Sequence, residues 1–484
     1  MTEPNWANRT IFTGDNLNVM RGMNSDCVDL IYLDPPFNSD ADYEAPIGSP
    51  AEGTGFKDTW TMDDVKVEEH GEIADRNPAL YQVIETTGVA HGKSMKAYAI
   101  MMGLRLMEMK RILKSTGSIY LHCDDNAAHY LKLVLDTIFG KQNFRNEITW
   151  KRTFAHNDPE RYGRITDTIF FYSMSDEFTW NKQYMPYTQD YIDEYYTEED
   201  ERGRFQPITL TGAGASGGES GEPWRGCDPT ESDRHWSVSR RVVTKLAGHK
   251  ALNWPVRKRL DLLDDHSYIY WPAKGKVPRL KQYLDEMKGT LPQSLWTDIK
   301  RLSSKSPEYL KFKTQKPLAL LDRIIRASSD EGDVILDPFC GCATACVAAE
   351  ELKRQWVGID VGPKAVDLVI QRFVGTDQLT LLANLVTHRE DIPLRTDLGK
   401  LPNYRTHKHE LFGLQEGLCE GCCHAFPFRN FTVDHIIAKS RGGTDHLDNL
   451  QLLCNACNSM KGTRSQAEFR AELKRIGITG SCWT

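Results

Sequence analysis

The sequence predicts an α/β protein, a parallel sheet covered by helices on both faces, with a small cysteine-stapled module after it. Three observations carry that expectation: apolar strand-like runs alternate with runs of helical periodicity, one such strand ends in a turn of small residues that opens a helix, and four cysteines near the C-terminus form two C-x-x-C pairs. At 484 residues, with 40% hydrophobic and 26% charged side chains, the chain has the length of roughly three domains, each able to bury its own core.

Residues 11 to 37 read as strand, turn, strand, "IFTGDNLNVM" followed by "VDLIYLDPPF". Residues 96 to 117 place Met101, Leu104, Leu106, Met109, Ile112 and Leu113 at helical spacing and end in "KSTG", a cationic last turn with a glycine stop. "SIYLHCD" then reads as a buried strand and "AHYLKLVLDTIFG" as a helix closed by Gly140. From about Trp150 to Tyr309 the periodicity lapses into an acidic run, the glycine-rich "LTGAGASGGESGEPWRG" and scattered tryptophans, as expected of an inserted module of irregular structure suited to an extended partner. Regularity returns with "KPLALLDRIIRAS" as a helix, "GDVILDPFCGCATACVAAEEL" as strand, turn, helix, and "RQWVGIDVGPKAVDLVIQRF" as strand, loop, helix. Residues from Val374 to about Arg405 read as a connector to the cysteine module.

The opening "MTEPNWANRT" has no apolar core of the kind a signal peptide needs, and no later run approaches about 18 apolar residues, which places the protein in the cytoplasm and away from membranes. Twelve cysteines spread along such a chain do not describe a disulfide framework. A net charge of -7 excludes a general polycation, yet Arg240, Arg241, Lys245, Lys250, Arg257, Lys258 and Arg259 cluster around Trp254 with no acid until Asp261. Such a stretch is either a surface for phosphate contact and base stacking or a solvated basic face.

"VILDPFCGCATA" (334–345) combines a buried strand with small residues at a helix start, where a ligand can approach the backbone and free N–H groups await a carboxylate or phosphate. Asp360 ends the next strand, "WVGID", at the spacing of a ribose-binding acid. "DPPF", "TQKP" and "DPFCG", in that chain order, resemble the beta group of DNA amino-methyltransferases, in which the catalytic half of the fold precedes the cofactor half. The likeness runs from about Thr10 to Phe373, with the middle insert where that family keeps its target-recognition domain.

The resemblance implies a circularly permuted Rossmann-like methyltransferase sheet and S-adenosylmethionine as cofactor. Asp34 and the carbonyl of Pro35 would take the two hydrogens of a nucleobase amine and draw its nitrogen toward a tetrahedral shape, with Pro35 and Pro36 stiffening the loop. Phe37 would stack a base rotated out of the duplex. Asp337, Phe339 and Gly341 would line the methionine end of the cofactor, Asp360 its ribose and Asp15 its adenine, while Thr314 and Lys316 close the methionine side. Where Ala343 stands the family usually has glycine, a backbone more permissive than alanine's. An aspartate at the first motif position is more usual in adenine enzymes, so adenine N6 is favoured over cytosine N4.

Cys419, Cys422, Cys454 and Cys457 offer four thiolates for tetrahedral zinc, but the 31 residues between the pairs exceed a zinc ribbon's spacing, so the cage holds something. That insert, "VDHIIAKSRGGTDHLDNLQLLC", together with Asn458, resembles the HNH nuclease family over residues 404–462. The resemblance makes His435 the base that deprotonates water, Asp434 and Asn458 oxygen ligands to a divalent cation such as Mg²⁺, and Asn449 the residue that orients His435 or holds the loop. Zinc would be structural, replacing a core so small a ββα module can hardly build. Cys423 is the alternative sulfur beside Cys422.

The expected organisation is therefore a catalytic half at 1–150, a target-recognition domain at 151–309, a cofactor half at 310–385, a linker at 386–403 and the HNH zinc domain at 404–484. The function expected is site-specific DNA methylation coupled to DNA cleavage in restriction-modification or phage defence, on double-stranded DNA, with either a second copy or other restriction subunits as partners. The competing readings are an HNH-like domain that only binds DNA, methylation of RNA or a protein amide, and a nucleic-acid-binding protein that has lost catalysis.

Overall fold

A computed structural model describes residues 2–38, 43–44, 55–56, 58–65, 67–155, 159–273, 277–303, 305–310, 312, 314–363, 365–374, 386–398, 403–441 and 443–478. They form two compact units, one of Ala7–Arg21 and Asp26–Asp391, the other of Met1–Trp6, Gly22–Ser25 and Ile392–Thr484.

The larger unit is built on a nine-stranded sheet of β1 (Thr10–Thr13), β2 (Val28–Leu33), β3 (Leu113–Cys123), β4 (Phe144–Lys151), β5 (Thr166–Ser173), β6 (Leu295–Trp296), β7 (Val334–Asp337), β8 (Gln355–Asp360) and β9 (Thr387–Arg389). Their order is β6-β4-β5-β3-β2-β7-β8-β1-β9. β5 runs antiparallel to both of its neighbours, and the remaining pairings are parallel. The central strands are apolar throughout because both faces are covered, and in β2 only Asp29 is not fully buried. That carboxylate takes the Lys114 ammonium at 2.8 Å and the Val334 N–H at 2.9 Å, pinning β2 to β7.

Its helices include α1 (Asn16–Gly22), α2 (Lys93–Ile112), α3 (Ala128–Phe139), α4 (Leu318–Ser328), α5 (Thr344–Glu351) and α6 (Ala365–Val374). Among the described residues no helix is long and apolar enough to cross a membrane.

Several local expectations change. The turn expected between β1 and β2 is the helix α1: the Asp15 carboxylate accepts the Leu17 N–H at 2.9 Å, and Leu17 and Met20 bury one face. "KSTG" does not close α2, which stops at Ile112. Leu113 already pairs with Val28, so those residues open β3. The sheet also reaches past residue 150, because "TDTIFFYS" is buried as β5 and Leu295–Trp296 returns as β6. Between them the insert is not irregular. It has a four-stranded antiparallel sheet (Glu198–Asp200, Gly203–Thr209, Arg279–Tyr283, Ile269–Tyr270) and its own core, including Phe205, Trp224, Trp236, Leu260 and Tyr283. In the basic stretch Arg241 and Lys245 pair with Glu286, at 3.1 and 2.7 Å, and they are exposed along with Arg240, Lys250, Arg257 and Lys258.

The expected linker divides: Thr387–Arg389 is β9, whereas the Asp397 carboxylate accepts the Ser25 N–H at 2.8 Å and the Arg395 guanidinium at 2.8 Å within the smaller unit. That unit holds an antiparallel pair, β10 (Phe431–His435) and β11 (Leu450–Cys454), followed by α7 (Asn455–Lys461) and α8 (Gln466–Arg475). Its small core gathers Leu411, Phe431, Leu452, Phe469 and Leu473 around the cysteines.

Candidate active site

β2 and β7 are parallel neighbours at the centre of the sheet, so the loops after them, "DPPF" and "DPFCG", emerge side by side at its carboxyl edge, where open α/β sheets bind ligands. A cavity of about 1490 Å³ lies there, lined by all eleven residues expected of the methyltransferase site: Asp15, Asp34, Pro35, Pro36, Phe37, Thr314, Lys316, Asp337, Phe339, Gly341 and Asp360. Small-molecule pockets usually span roughly 300–1,000 Å³, so this one has room for a nucleoside cofactor and a second group.

Asp34 is held by Lys316, whose ammonium binds Oδ2 and stands 5.5 Å from the Phe37 ring centroid. Among the described residues Oδ1 of Asp34 is buried with no hydrogen-bond partner. Lys316 thus reaches the Asp34 carboxylate, a contact that closing the methionine side alone does not foresee. The loop ends at Asn38, in the left-handed region at φ 59°, whose N–H meets Asp58 at 2.6 Å and whose amide oxygen accepts the Trp60 N–H at 3.2 Å. The Phe37 ring also faces His122, ring centroids 6.2 Å apart at 27°.

On the side of β7 and β8, burial pushes the Asp337 carboxyl well above its ordinary range. The Phe339 N–H at 3.2 Å works against this, and the nearby charges of Asp34 and Asp360 add to it. Asp360 is raised by burial too, though its oxygens accept the N–H groups of Gly341 and Gly362 at 2.8 and 2.7 Å. It therefore buttresses the loop as well as facing the cavity. Gly341 has φ 49°, and a Cβ there would meet the Phe312 ring at 3.4 Å. Ala343, where the family has glycine, is fully buried in the left-handed region at φ 52°. An alanine tolerates this at a cost on the order of 1–2 kcal/mol. Arg372 helps hold the loop through the Cys342 carbonyl at 3.0 Å and the Thr344 hydroxyl at 2.8 Å. Asp15 is paired with Arg105 at 2.8 Å. Arg105, Phe312, Asn38 and His122 were not foreseen. The legible hint was the histidine of "SIYLHCD", a polar ring in an otherwise apolar strand.

In the smaller unit the four expected sulfurs lie within 4.8 Å of one another, and Cys423 is outside that group. A tetrahedron of Zn–S bonds near 2.3 Å has edges of about 3.8 Å, so the cage has the right size. The Cys419 thiol is pushed down to about 5, chiefly by the hydrogen bond from Cys457 and also by backbone N–H groups such as that of Cys454 at 3.2 Å. Gly421 fits because any Cβ would lie 2.8 Å from the Cys457 sulfur and 2.9 Å from Phe469.

Within the cage His435 Nε2 meets Asp445 at 2.7 Å, and Asp445 also binds Lys439 at 2.7 Å. Asn449 holds the loop, accepting the Ile437 N–H at 2.8 Å and donating to the carbonyls of Ile437 and Thr444 at 3.0 and 2.9 Å. The residue that orients His435 is therefore Asp445. Asp434 Oδ2 is engaged by Lys461 at 2.9 Å and by Gln451 at 3.0 Å, and Asn458 lies one turn before Lys461 on α7.

A family model described as DNA methylase matches residues 28–371, and one described as HNH endonuclease matches residues 419–464. The type II methyltransferase M.EcaI of Enterobacter cloacae is 30% identical over 278 residues, covering 57% of this chain and 57% of that protein. The StyLTI Mod subunit of Salmonella typhimurium, from a type III restriction-modification enzyme, is 28% identical over 366 residues, 72% of this chain and 51% of the subunit. The DNA adenine methyltransferase YhdJ of Escherichia coli K12 is 39% identical over 82 residues, 17% of this chain and 28% of YhdJ. The chain thus spans about half the length of the first two relatives. With the two motif loops meeting at one cavity and the match running through both, the chain belongs to the DNA methylase family and carries an HNH endonuclease segment near its C-terminus.

Proposed function

We propose that this chain methylates an exocyclic amine of a DNA base and that its HNH segment cuts DNA, methylation marking what is not to be cut. The observation that carries the first half is Asp34 Oδ1, a buried acceptor on the cavity wall beside Phe37 that has no partner among the described residues. Buried polar atoms are ordinarily satisfied, so an orphan acceptor in a pocket marks where a donor belongs. Oδ1 accepts one amine hydrogen and the Pro35 carbonyl the other, while Lys316 keeps the carboxylate from turning. Acceptors placed in advance need no reorganisation when the base arrives. Oδ1 is then the nearest atom to take the proton the nitrogen sheds. S-adenosylmethionine, when bound, supplies the electrophilic methyl group. Asp337, Phe339, Gly341 and Thr314 would hold its methionine end, Asp360 its ribose and Asp15 its adenine. Adenine is favoured by the aspartate in the first motif position and by YhdJ, named for adenine.

In the smaller unit Cys419, Cys422, Cys454 and Cys457 would hold a structural zinc. His435, with Nε2 on Asp445, keeps Nδ1 for a water proton, and Asp434 with Asn458 would hold a hard cation such as Mg²⁺. One observation favours the second reading, a module that binds DNA without cutting: an ammonium, Lys461, already sits on Asp434. The expected setting is cytoplasmic restriction-modification on double-stranded DNA, with a second copy or other restriction subunits as partners.

Modification-sensitive long-read sequencing of DNA from cells expressing the chain tests the first half. Wild type should mark one amine in one sequence context. Asp34→Ala should mark none while binding the cofactor within about threefold of wild type. Unchanged marking by Asp34→Ala refutes the assignment. His435→Ala should abolish metal-dependent cleavage with the zinc module still folded. Wild-type protein that cuts no DNA in any methylation state favours the binding-only reading.

A further inference from the structure

Three polar side chains from three different strands are joined in a line beneath the amine-reading loop. Tyr32 of β2 meets His122 Nδ1 through its hydroxyl at 3.0 Å, and His122 Nε2 of β3 meets the Asp167 carboxylate of β5 at 3.2 Å. Their exposures are 2%, 0% and 3%. Such a line is expensive in the middle of an apolar sheet, where residues of similar volume would pack without desolvating a carboxylate or an imidazole. It does fix one ring completely. Burial, with the charges of Asp34, Asp337 and Asp167, holds the Tyr32 hydroxyl protonated, and the Tyr32 and Asp167 contacts grip both ring nitrogens of His122. Trp150 closes one side of His122 edge-on at 5.7 Å, and Phe37 lies over the ring, nearly parallel. Arg152, on the cavity wall, reaches Asp167 at 3.5 Å.

We infer that His122 is a positioning residue for methyl transfer: clamped by Tyr32 and Asp167, it sets the tilt of Phe37, and so the plane in which a stacked base presents its amine to Asp34. The inference rests on the proposed methylation and names a residue that touches neither base nor cofactor. Its effect belongs in the chemical step, not in cofactor binding, because the ring that His122 packs against is Phe37 of the amine-reading loop.

The test uses the full chain, a duplex with 2-aminopurine at the methylated position, single-turnover methylation, cofactor affinity and thermal unfolding. His122→Leu should slow single-turnover transfer by at least about tenfold and lower the 2-aminopurine signal, with cofactor affinity within about twofold. His122→Gln, whose amide can bridge Tyr32 and Asp167, should recover most of the rate. Asp167→Asn, which keeps shape and loses the carboxylate, should slow transfer several-fold, and it decides the matter if the leucine variant does not fold. A wild-type rate in His122→Leu or Asp167→Asn, or a glutamine variant as slow as leucine at equal thermal stability, overturns the inference. A wild-type chain that methylates no DNA overturns the proposed reaction itself, and this inference with it.

Discussion

Replacing Lys461 with methionine should loosen the smaller unit by an amount its surroundings fix. The Lys461 side chain is 0% exposed, and its ammonium lies 2.9 Å from Asp434 Oδ2 and 2.6 Å from the His435 carbonyl. Methionine preserves the volume, so the cavity penalty stays small. What remains is an acid stripped of its counter-charge and a carbonyl stripped of its donor. Breaking a fully buried pair costs about 3–5 kcal/mol. Asp434 is 15% exposed and keeps Gln451, so the lower end, about 3 kcal/mol, applies. That corresponds to a rise of about two orders of magnitude in local opening. Amide hydrogen exchange on the zinc-loaded full chain should show Val433 and Leu452, paired across β10 and β11, exchanging about a hundredfold faster, with β7 and β8 unchanged. Adding Asp434→Asn should restore part of the protection, since the stranded charge is then gone. Less than about tenfold loss in the single variant would show that the lysine is not what holds that carboxylate.

Two further outcomes follow from contacts elsewhere. Although burial raises it, the Glu286 carboxyl is drawn down from 4.5 to about 2 by Lys245, Tyr268 and Arg202, so its contribution to the insert is complete above pH 4.5 and fades as pH falls toward 2. The gap in unfolding temperature between wild type and Glu286→Gln should therefore be constant at neutral pH and narrow below 4.5; a gap that widens in acid contradicts the sign. Gly421→Ala forces a methyl to within 2.8 Å of the Cys457 sulfur, and overpacking of about 1–3 kcal/mol should weaken zinc about 5- to 150-fold in a chelator competition; unchanged affinity would mean the cage can give.

Much of both sites was legible because its residues are contiguous or regularly spaced. Asp34 to Phe37 sit in one turn, Asp337 to Gly341 in another, and the cysteines in two identical pairs. The rest depends on which strands become neighbours. His122 meets Tyr32 across 90 positions and Asp167 across 45, and only the insertion of β5 beside β3 brings them together. Lys316 was found by its motif, but its partner, Asp34, lies 282 residues away, so charge alone did not reveal the pairing. The basic stretch did not announce its own contacts either: Arg241 and Lys245 both bind Glu286, 45 and 41 positions downstream. Lys461 reads as an ordinary cation ending a helix, where only folding buries it.

The order of the central strands also sets when a growing chain can acquire its pocket. The loop after β2 carries Asp34 early, but the neighbouring wall is made of β7 and β8, and Lys316, which holds that carboxylate, comes just before them. A ribosome must therefore have released residues through Asp360 before any nascent copy owns the complete cavity, and a fragment terminated within the insert has Asp15 and the "DPPF" loop but neither the "DPFCG" loop nor Asp360.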